Sequence, residues 1–220
     1  DLVRAVVARA RLLKPLPKPL INVVPAALVI GGGLSGITAS LELAKQGFDV
    51  HLVEREKELG GYAKQIHYLL GSQDPQEQLH AMIEEVKANP KIRVHLSTNV
   101  SDIKGYIGNF KTTLKTKGRK KEKEIEHGVV IVATGAVEYK PTEYLYGADP
   151  RVVTQHELEE KLAKGDFNAK MVTMIQCVGS RNDENPNCSR ICCSQALKNA
   201  LKIKEVSPES DIYVLYKDMR

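Results

Sequence analysis

The 220-residue sequence contains no tryptophan and only three phenylalanines. That scarcity removes much of the flat stacking surface on which single-stranded nucleic acid is held. Also missing are an uninterrupted apolar run of bilayer-spanning length and a basic, apolar, small-residue signal pattern at the amino terminus, so a cytoplasmic protein is expected. Charge is not one-sided: 32 Lys and Arg stand against 27 Asp and Glu, a formal +5. Much of the excess lies in residues 115–123, a basic run interrupted by Glu122 and followed by Glu124. With no nucleic-acid motif beside it, the run reads as the solvated turn of a hairpin, and no nucleic-acid partner is expected. Cysteine is confined as well: Cys177, Cys188, Cys192 and Cys193 are the only four, all within 17 residues.

With 42% apolar and 27% charged residues, the chain has the balance of a globular protein and enough length for one α/β domain and part of another. Residues 1–13 read as an apolar-striped helix that feeds a proline-broken linker, giving an expected division at residue 25. The first residue is Asp1, and the strand-like run 211–216 has nothing after it to pack on. The chain is therefore expected to be the middle of a longer polypeptide.

Ala26 to Ile30 is a short apolar run of buried-strand length, followed at once by Gly31-Gly32-Gly33-Leu34-Ser35-Gly36 and a helical stretch ending at Gly47. Gly31, Gly33 and Gly36 match G-x-G-x-x-G: a tight turn, a close backbone approach to a pyrophosphate, and close packing of helix on strand. Gly33, Leu34 and Ser35 open the helix, whose positive end faces the phosphates. A second strand, Asp49 to Val53, ends at Glu54, where a carboxylate bonds the hydroxyls of an adenosine ribose and repels a 2′-phosphate. FAD or NAD is thus expected over NADP.

Glu54 to Gly61, with Arg55 and the pair Gly60-Gly61, follows E-x(5)-G-G and resembles the extension in flavoproteins with two dinucleotide-binding domains. Val129 to Gly135 resembles their second signature, an apolar strand closing on Ala133-Thr134-Gly135 against the cofactor. Residues 92–100 would supply the strand and turn over the adenine, with Val100 as a backbone contact. Those resemblances favour FAD. Lys64 and His67 are the nearest chargeable residues after the glycine pair and are read first as surface or packing residues. The alternating stretches 106–116 and 123–132 predict a small antiparallel sheet inserted at about 105–128. The expected fold class is α/β: a Rossmann-like, three-layer FAD-binding fold over 26–150 with that insertion, then the start of a second nucleotide-binding-like α/β domain over 151–220.

In that second part, Ala169 to Gln176 reads as a buried strand with Cys177 at its carboxyl end, residues 179–187 as a loop, and residues 189–204 as a helix. The sulfurs would converge between strand end, loop and first helical turn. Their spacing, C-x(10)-C-x(3)-C-C, departs from the paired C-x(2–4)-C of structural zinc. A redox dithiol would bring a C-x-x-C or a longer flavin-facing pair, and adjacent Cys192-Cys193 would need a strained peptide to bond. An iron–sulfur cluster takes four thiolates at irregular spacing, and a helix amino terminus favours its negative charge. The cluster is the leading reading, with zinc, a catalytic dithiol and unreactive buried cysteines left open.

Three segments, Gly60 to Asp74, Gly105 to Phe110 and above all Gln176 to Cys193 (QCVGSRNDENPNCSRICC), resemble the A-subunit family of CoB–CoM heterodisulfide reductase and its relatives in anaerobes. The resemblance covers residues 9–220. It implies an FAD-dependent oxidoreductase in which Cys177, Cys188, Cys192 and Cys193 ligate a [4Fe–4S] cluster near the flavin, with electrons distributed or bifurcated there. Partners would be the other subunits of such a complex, and a homodimer is a further option. Two departures stand out. The strand before Cys177 runs into Cys177-Val178-Gly179-Ser180 where related reductases open a second glycine loop, which puts a pyridine-nucleotide site in doubt. The chain also lacks the ferredoxin-like C-x-x-C-x-x-C-x-x-x-C runs of many full-length relatives. Against this stand an NAD(P)H-dependent disulfide oxidoreductase with Cys192 or Cys193 as nucleophile, and a non-catalytic flavin-binding docking module.

Overall fold

The computed structural model describes residues 1–14, 20–71 and 73–218, so part of the expected linker, residues 15–19, lies outside the described residues. In chain order the elements are α1 (Leu2–Leu12), β1 (Ala26–Ile30), α2 (Leu34–Lys45), β2 (Asp49–Val53), a 3-10 turn (Gly61–Gln65), α3 (Pro75–Ala88), β3 (Ile92–His95) and β4 (Thr98–Tyr106). They continue with β5 (Asn109–Thr116), β6 (Lys123–His127), β7 (Val129–Val132), α4 (Gln155–Ala163), β8 (Met171–Ile175), α5 (Cys192–Val206) and β9 (Asp211–Leu215).

A four-stranded parallel sheet, β3-β2-β1-β7, forms the middle layer. Both of its faces are covered, which is why β1 reads as a continuous apolar run rather than an alternation. On one face Val29, Val50 and Leu52 pack with Ile37 and Leu41 of α2 and Val86 of α3. On the other, Leu28 and Val53 meet Leu114 and Ile125 of the antiparallel sheet β4-β5-β6. Helices, parallel sheet and antiparallel sheet make the three layers of a Rossmann-like α/β fold. The antiparallel layer begins at Thr98, breaks at Ile107 and Gly108, and has three strands where the alternation reads as two; residues 129–132 leave it to pair in parallel with β1.

Local chemistry fixes two helix starts. The Asp74 carboxylate accepts the Gln76 and Glu77 N–H groups ahead of Pro75, the first residue of α3. Thr154 and Glu157 form a capping box on α4, each side chain bonding the other's backbone N–H. Helix α1 buries none of its residues. Among the described residues no helix is long and apolar enough to cross a membrane.

A second parallel pair, β8-β9, is packed on one face by α4 and α5 through Met174, Leu158, Leu162, Ala196 and Ile203. The segment after the 3-10 turn is stitched to these helices. Glu159, fully buried, accepts the His67 backbone N–H at 2.8 Å and pairs with Lys198 at 2.7 Å. Tyr68 donates its hydroxyl to Asn199 at 2.7 Å, and the Lys198 ammonium lies 5.0 Å from the Tyr68 ring centre. Burial, followed by the Glu159 charge, pushes the Tyr68 phenol up. Replacing Lys198 with Met strands a buried carboxylate. The loss expected in urea denaturation is about 3–5 kcal/mol, far above that of an exposed pair such as Lys45–Glu42.

On the face of the parallel sheet that meets the antiparallel layer, His51 Nδ1 and His95 Nε2 lie 3.0 Å apart, one ring donating to the other. Burial first lowers both imidazoles to about 4, followed by the Arg93 and Lys123 charges at His51, where Asp49 opposes, and by Lys123 and then His51 at His95. An unfolded chain protonates these rings below its ordinary value near 6.5, whereas the folded chain resists until about 4. Stability is therefore flat with respect to this pair above pH 6.5 and falls as pH drops from there towards 4. Chemical denaturation at pH 7 and pH 5 should differ by on the order of 2 kcal/mol from the coupled pair, and by markedly less after His51→Gln with His95→Gln.

Candidate functional site

The carboxyl ends of β1, β2 and β7 converge on the glycine turn, and three backbone approaches shape it. A side chain at Gly36 would overlap the Gly31 carbonyl oxygen, which is how α2 starts directly on the end of β1. Gly31, at φ +111°, leaves no room for a Cβ beside the Ala133 carbonyl. Gly61 would place its Cβ 3.0 Å from the Gly33 Cα, and Gly60 donates its N–H to the Gly32 carbonyl at 2.7 Å. The glycine pair is thus demanded by the turn itself, a contact that E-x(5)-G-G does not announce.

Helix α2 begins at Gly33 with no side-chain cap and no acidic residue in its first turn, so its leading N–H groups are available to an anion. Leu34 and Ser35 are exposed at this end. Glu54 is 7% exposed and held by two backbone donors, Gly32 N–H at 2.6 Å and Glu56 N–H at 2.8 Å. Each carboxylate oxygen keeps a lone pair for a further donor such as a ribose hydroxyl. A cradle that glycines keep open, uncapped helical N–H groups and an oriented carboxylate fit a dinucleotide.

The remaining sequence-selected residues fall in different places. Ala133 lies against the turn, its N–H donating to the Ile30 carbonyl at 2.8 Å, while Thr134 and Gly135 are exposed. Val100 pairs with Leu114 beside a bulge, with its side chain packed between the two sheets; the start of its strand is tied to the Glu54 carbonyl through the Thr98 N–H at 2.9 Å. Arg55 pairs with Glu56 at 3.4 Å on an exposed surface. Lys64 reaches Glu58 at 3.5 Å, and the backbone of His67 is committed to Glu159.

All four cysteines are free thiols, carried by the loop of residues 176–191 and the start of α5. The loop leaves the carboxyl end of β8 through Gln176, whose N–H donates to the Leu215 carbonyl of β9 at 2.9 Å. Cys177, Arg181 and Arg190 all take left-handed backbone angles, φ +62°, +56° and +57°. The Cys188 sulfur accepts the Arg190 N–H at 3.4 Å. Cys192 and Cys193 open α5, whose amino end has no side-chain cap. Burial pushes the Cys192 thiol up, opposed by hydrogen bonds from Ser189 and the Cys177 backbone, so the Cys177 and Cys192 positions are neighbours. Among the described residues, no three His, Cys, Asp or Glu side chains are gathered tightly enough to hold a single metal ion. A four-iron cube spreads its thiolates further apart than one ion does, and the donor set (four free thiols, N–H donors aimed at three of the sulfurs, an uncapped helix start) fits such a cluster in its chemistry.

Sequence reading overlooked Arg181, whose guanidinium donates to the Cys177 sulfur at 3.9 Å and pairs with Asp218. It also overlooked Glu159 and the largely buried Gln176, whose amide nitrogen has no hydrogen-bond partner among the described residues. Only the position of Gln176, next to a cysteine, offered a signal.

Residues 25–178 match the family of pyridine nucleotide-disulphide oxidoreductases. The chain is 30% identical over 312 residues to the A subunit of H(2):CoB-CoM heterodisulfide,ferredoxin reductase of Methanothermobacter marburgensis, covering all of this chain and 47% of that protein. It is 31% identical to the second iron-sulfur A subunit of CoB--CoM heterodisulfide reductase of Methanopyrus kandleri, covering all of this chain and 48% of the relative. The chain thus spans about half the length of these relatives. Because the alignments run over 312 residues and this chain has 220, the relatives also carry residues with no counterpart here. In fold, the chain is similar to L-proline dehydrogenase from P. horikoshii, with a TM-score of 0.52 and 21% identity over 93% of this chain and 38% of that one.

The glycine contacts give a direct test of the cradle. Gly36→Ala forces the Gly31 carbonyl and the start of α2 apart, so FAD affinity, followed by flavin fluorescence, should fall roughly tenfold or more. Gly71→Ala, where a Cβ meets nothing within 4 Å, should leave it unchanged.

Proposed function

The chain belongs to the pyridine nucleotide-disulphide oxidoreductase family, and from that premise we propose that it binds FAD in the glycine cradle and carries a [4Fe–4S] cluster on the cysteine loop. It would act as the electron-transfer part of an oxidoreductase like the A subunit of heterodisulfide reductase, together with the other subunits of such a complex. The single observation that carries the reading is the composition of the β8–α5 connection. In a dinucleotide-binding βαβ unit, a short glycine turn joins strand to helix and brings the helix start to a pyrophosphate. Here residues 176–191 fill that place, and the loop and helix start carry every cysteine of the chain.

Gly31, Gly33 and Gly36 would admit the pyrophosphate to the uncapped start of α2, and Glu54 would orient the adenosine ribose. Ala133, Thr134 and Gly135 at the end of β7, with Gly60 and Gly61, would border the rest of the cofactor. Cys177, Cys188, Cys192 and Cys193 would hold the iron. When bound, the flavin supplies exchange between electron pairs and single electrons, and the cluster supplies a one-electron relay.

The test is flavin and iron quantitation with an absorption spectrum on anaerobically purified protein, before and after Cys177→Ser with Cys192→Ser. The expected result is about one FAD and about four iron per chain, with iron lost and FAD kept in the double variant. FAD without iron after anaerobic reconstitution, together with two titratable thiols per flavin, would overturn the cluster and leave the dithiol enzyme.

A further inference from the structure

Because β8 and β9 run in parallel, the segment that follows each strand emerges at the same edge of the sheet. The turn after β9 therefore lies against the cysteine loop, and it grips that loop twice at one residue. Lys217 donates its ammonium to the Arg181 carbonyl at 2.5 Å, and the Asp218 carboxylate pairs with the Arg181 guanidinium. Arg181 is left with a side chain only 18% exposed, in a left-handed backbone conformation, donating to the Cys177 sulfur at 3.9 Å. The guanidinium is thus held between the Asp218 carboxylate and the Cys177 sulfur, on a backbone angle that would suit glycine better.

We propose that Arg181 is a positioning residue that sets the reduction potential of the iron–sulfur cluster through the Cys177 sulfur, with Asp218 as its counter-charge; the inference rests on the cluster reading above. Reduction of such a cluster adds one electron, and so one negative charge, to the iron, sulfide and thiolate assembly, with no bond broken. A cation that hydrogen-bonds a ligand sulfur stabilises the more negative, reduced form and raises the potential, and a carboxylate beside that cation pulls the potential back down. Lys217 contributes through position, since its ammonium is committed to a backbone oxygen of the same residue.

The experiment is a dithionite redox titration, followed by electron paramagnetic resonance, on the whole chain and on Arg181→Met, Arg181→Lys and Asp218→Asn, with iron and FAD quantified in each. Arg181→Met is expected to move the cluster potential to more negative values and Asp218→Asn to more positive ones. Arg181→Lys, which keeps the charge, should return most of the Arg181→Met shift. The flavin potential should move much less than that of the cluster in all three. Iron-loaded variants in which Arg181→Met and Asp218→Asn leave the potential unmoved, or shift it in the same direction, would overturn the role of Arg181 while leaving the cluster standing. Should Arg181→Met lose its iron, an unmoved potential in Asp218→Asn overturns the proposal by itself. A parent chain that takes up no iron overturns the cluster reading and this inference with it.

Discussion

Backbone against backbone, with no side chain between, is the constraint on which the dinucleotide half of this molecule depends. Gly31 touches the Ala133 carbonyl, Gly36 overlies the Gly31 carbonyl, and Gly33 meets Gly61, so the ends of β1 and β7, the start of α2 and the segment after β2 all close on one small volume. Interiors pack densely, and the room for such closeness comes only from residues without a Cβ. The Glu54 carboxylate is fastened to the same turn through the Gly32 N–H. The glycine turn and the Glu54 carboxylate are thus parts of a single arrangement, and a shift in one displaces the other.

The cysteine half is organised by different means. Its strands are few, and its loop gains order from polar ties to neighbouring elements, the Gln176 N–H to β9 and the Lys217 and Asp218 contacts to Arg181, and from an internal bond of the Asn185 amide to the Gly179 carbonyl at 3.1 Å. The bond from the His67 N–H to Glu159 and the Tyr68–Asn199 bond fix the segment that leaves the glycine cradle onto α4 and α5. Through that seam, the positions of the two halves are set by hydrogen bonds as much as by apolar contact.

Much of this was legible in the sequence wherever the determinant is local. Five apolar residues, a glycine turn and a helix define β1 and α2, and Glu54 sits at the end of the next apolar strand. Strand β4 escaped because most of TNVSDIKGY is exposed in the structure and leaves no alternation to read. The starts of α3 and α4 had signals of their own, Asp74-Pro75 and Thr154 with Glu157, that periodicity alone passes over. Arg181 and Glu159 were hidden for a stronger reason. A charge in a loop or on a helix reads as solvated, and only the parallel pairing of β8 with β9, or the docking of α5 on α4, brings in the partner that removes it from water.

The left-handed residues of the cysteine loop have an evolutionary side. Cys177, Arg181 and Arg190 each occupy backbone space that disfavours a side chain by roughly 1–2 kcal/mol relative to glycine. Mutation to glycine would relax the loop at every one of these positions, so drift towards stability alone would erase a sulfur and two guanidinium groups. At position 181 the same change would also remove the guanidinium that reaches the Cys177 sulfur and pairs with Asp218. In a set of homologues, glycine arriving at position 181 together with loss of the acid at 218 would mark lineages in which the loop had been released from that duty.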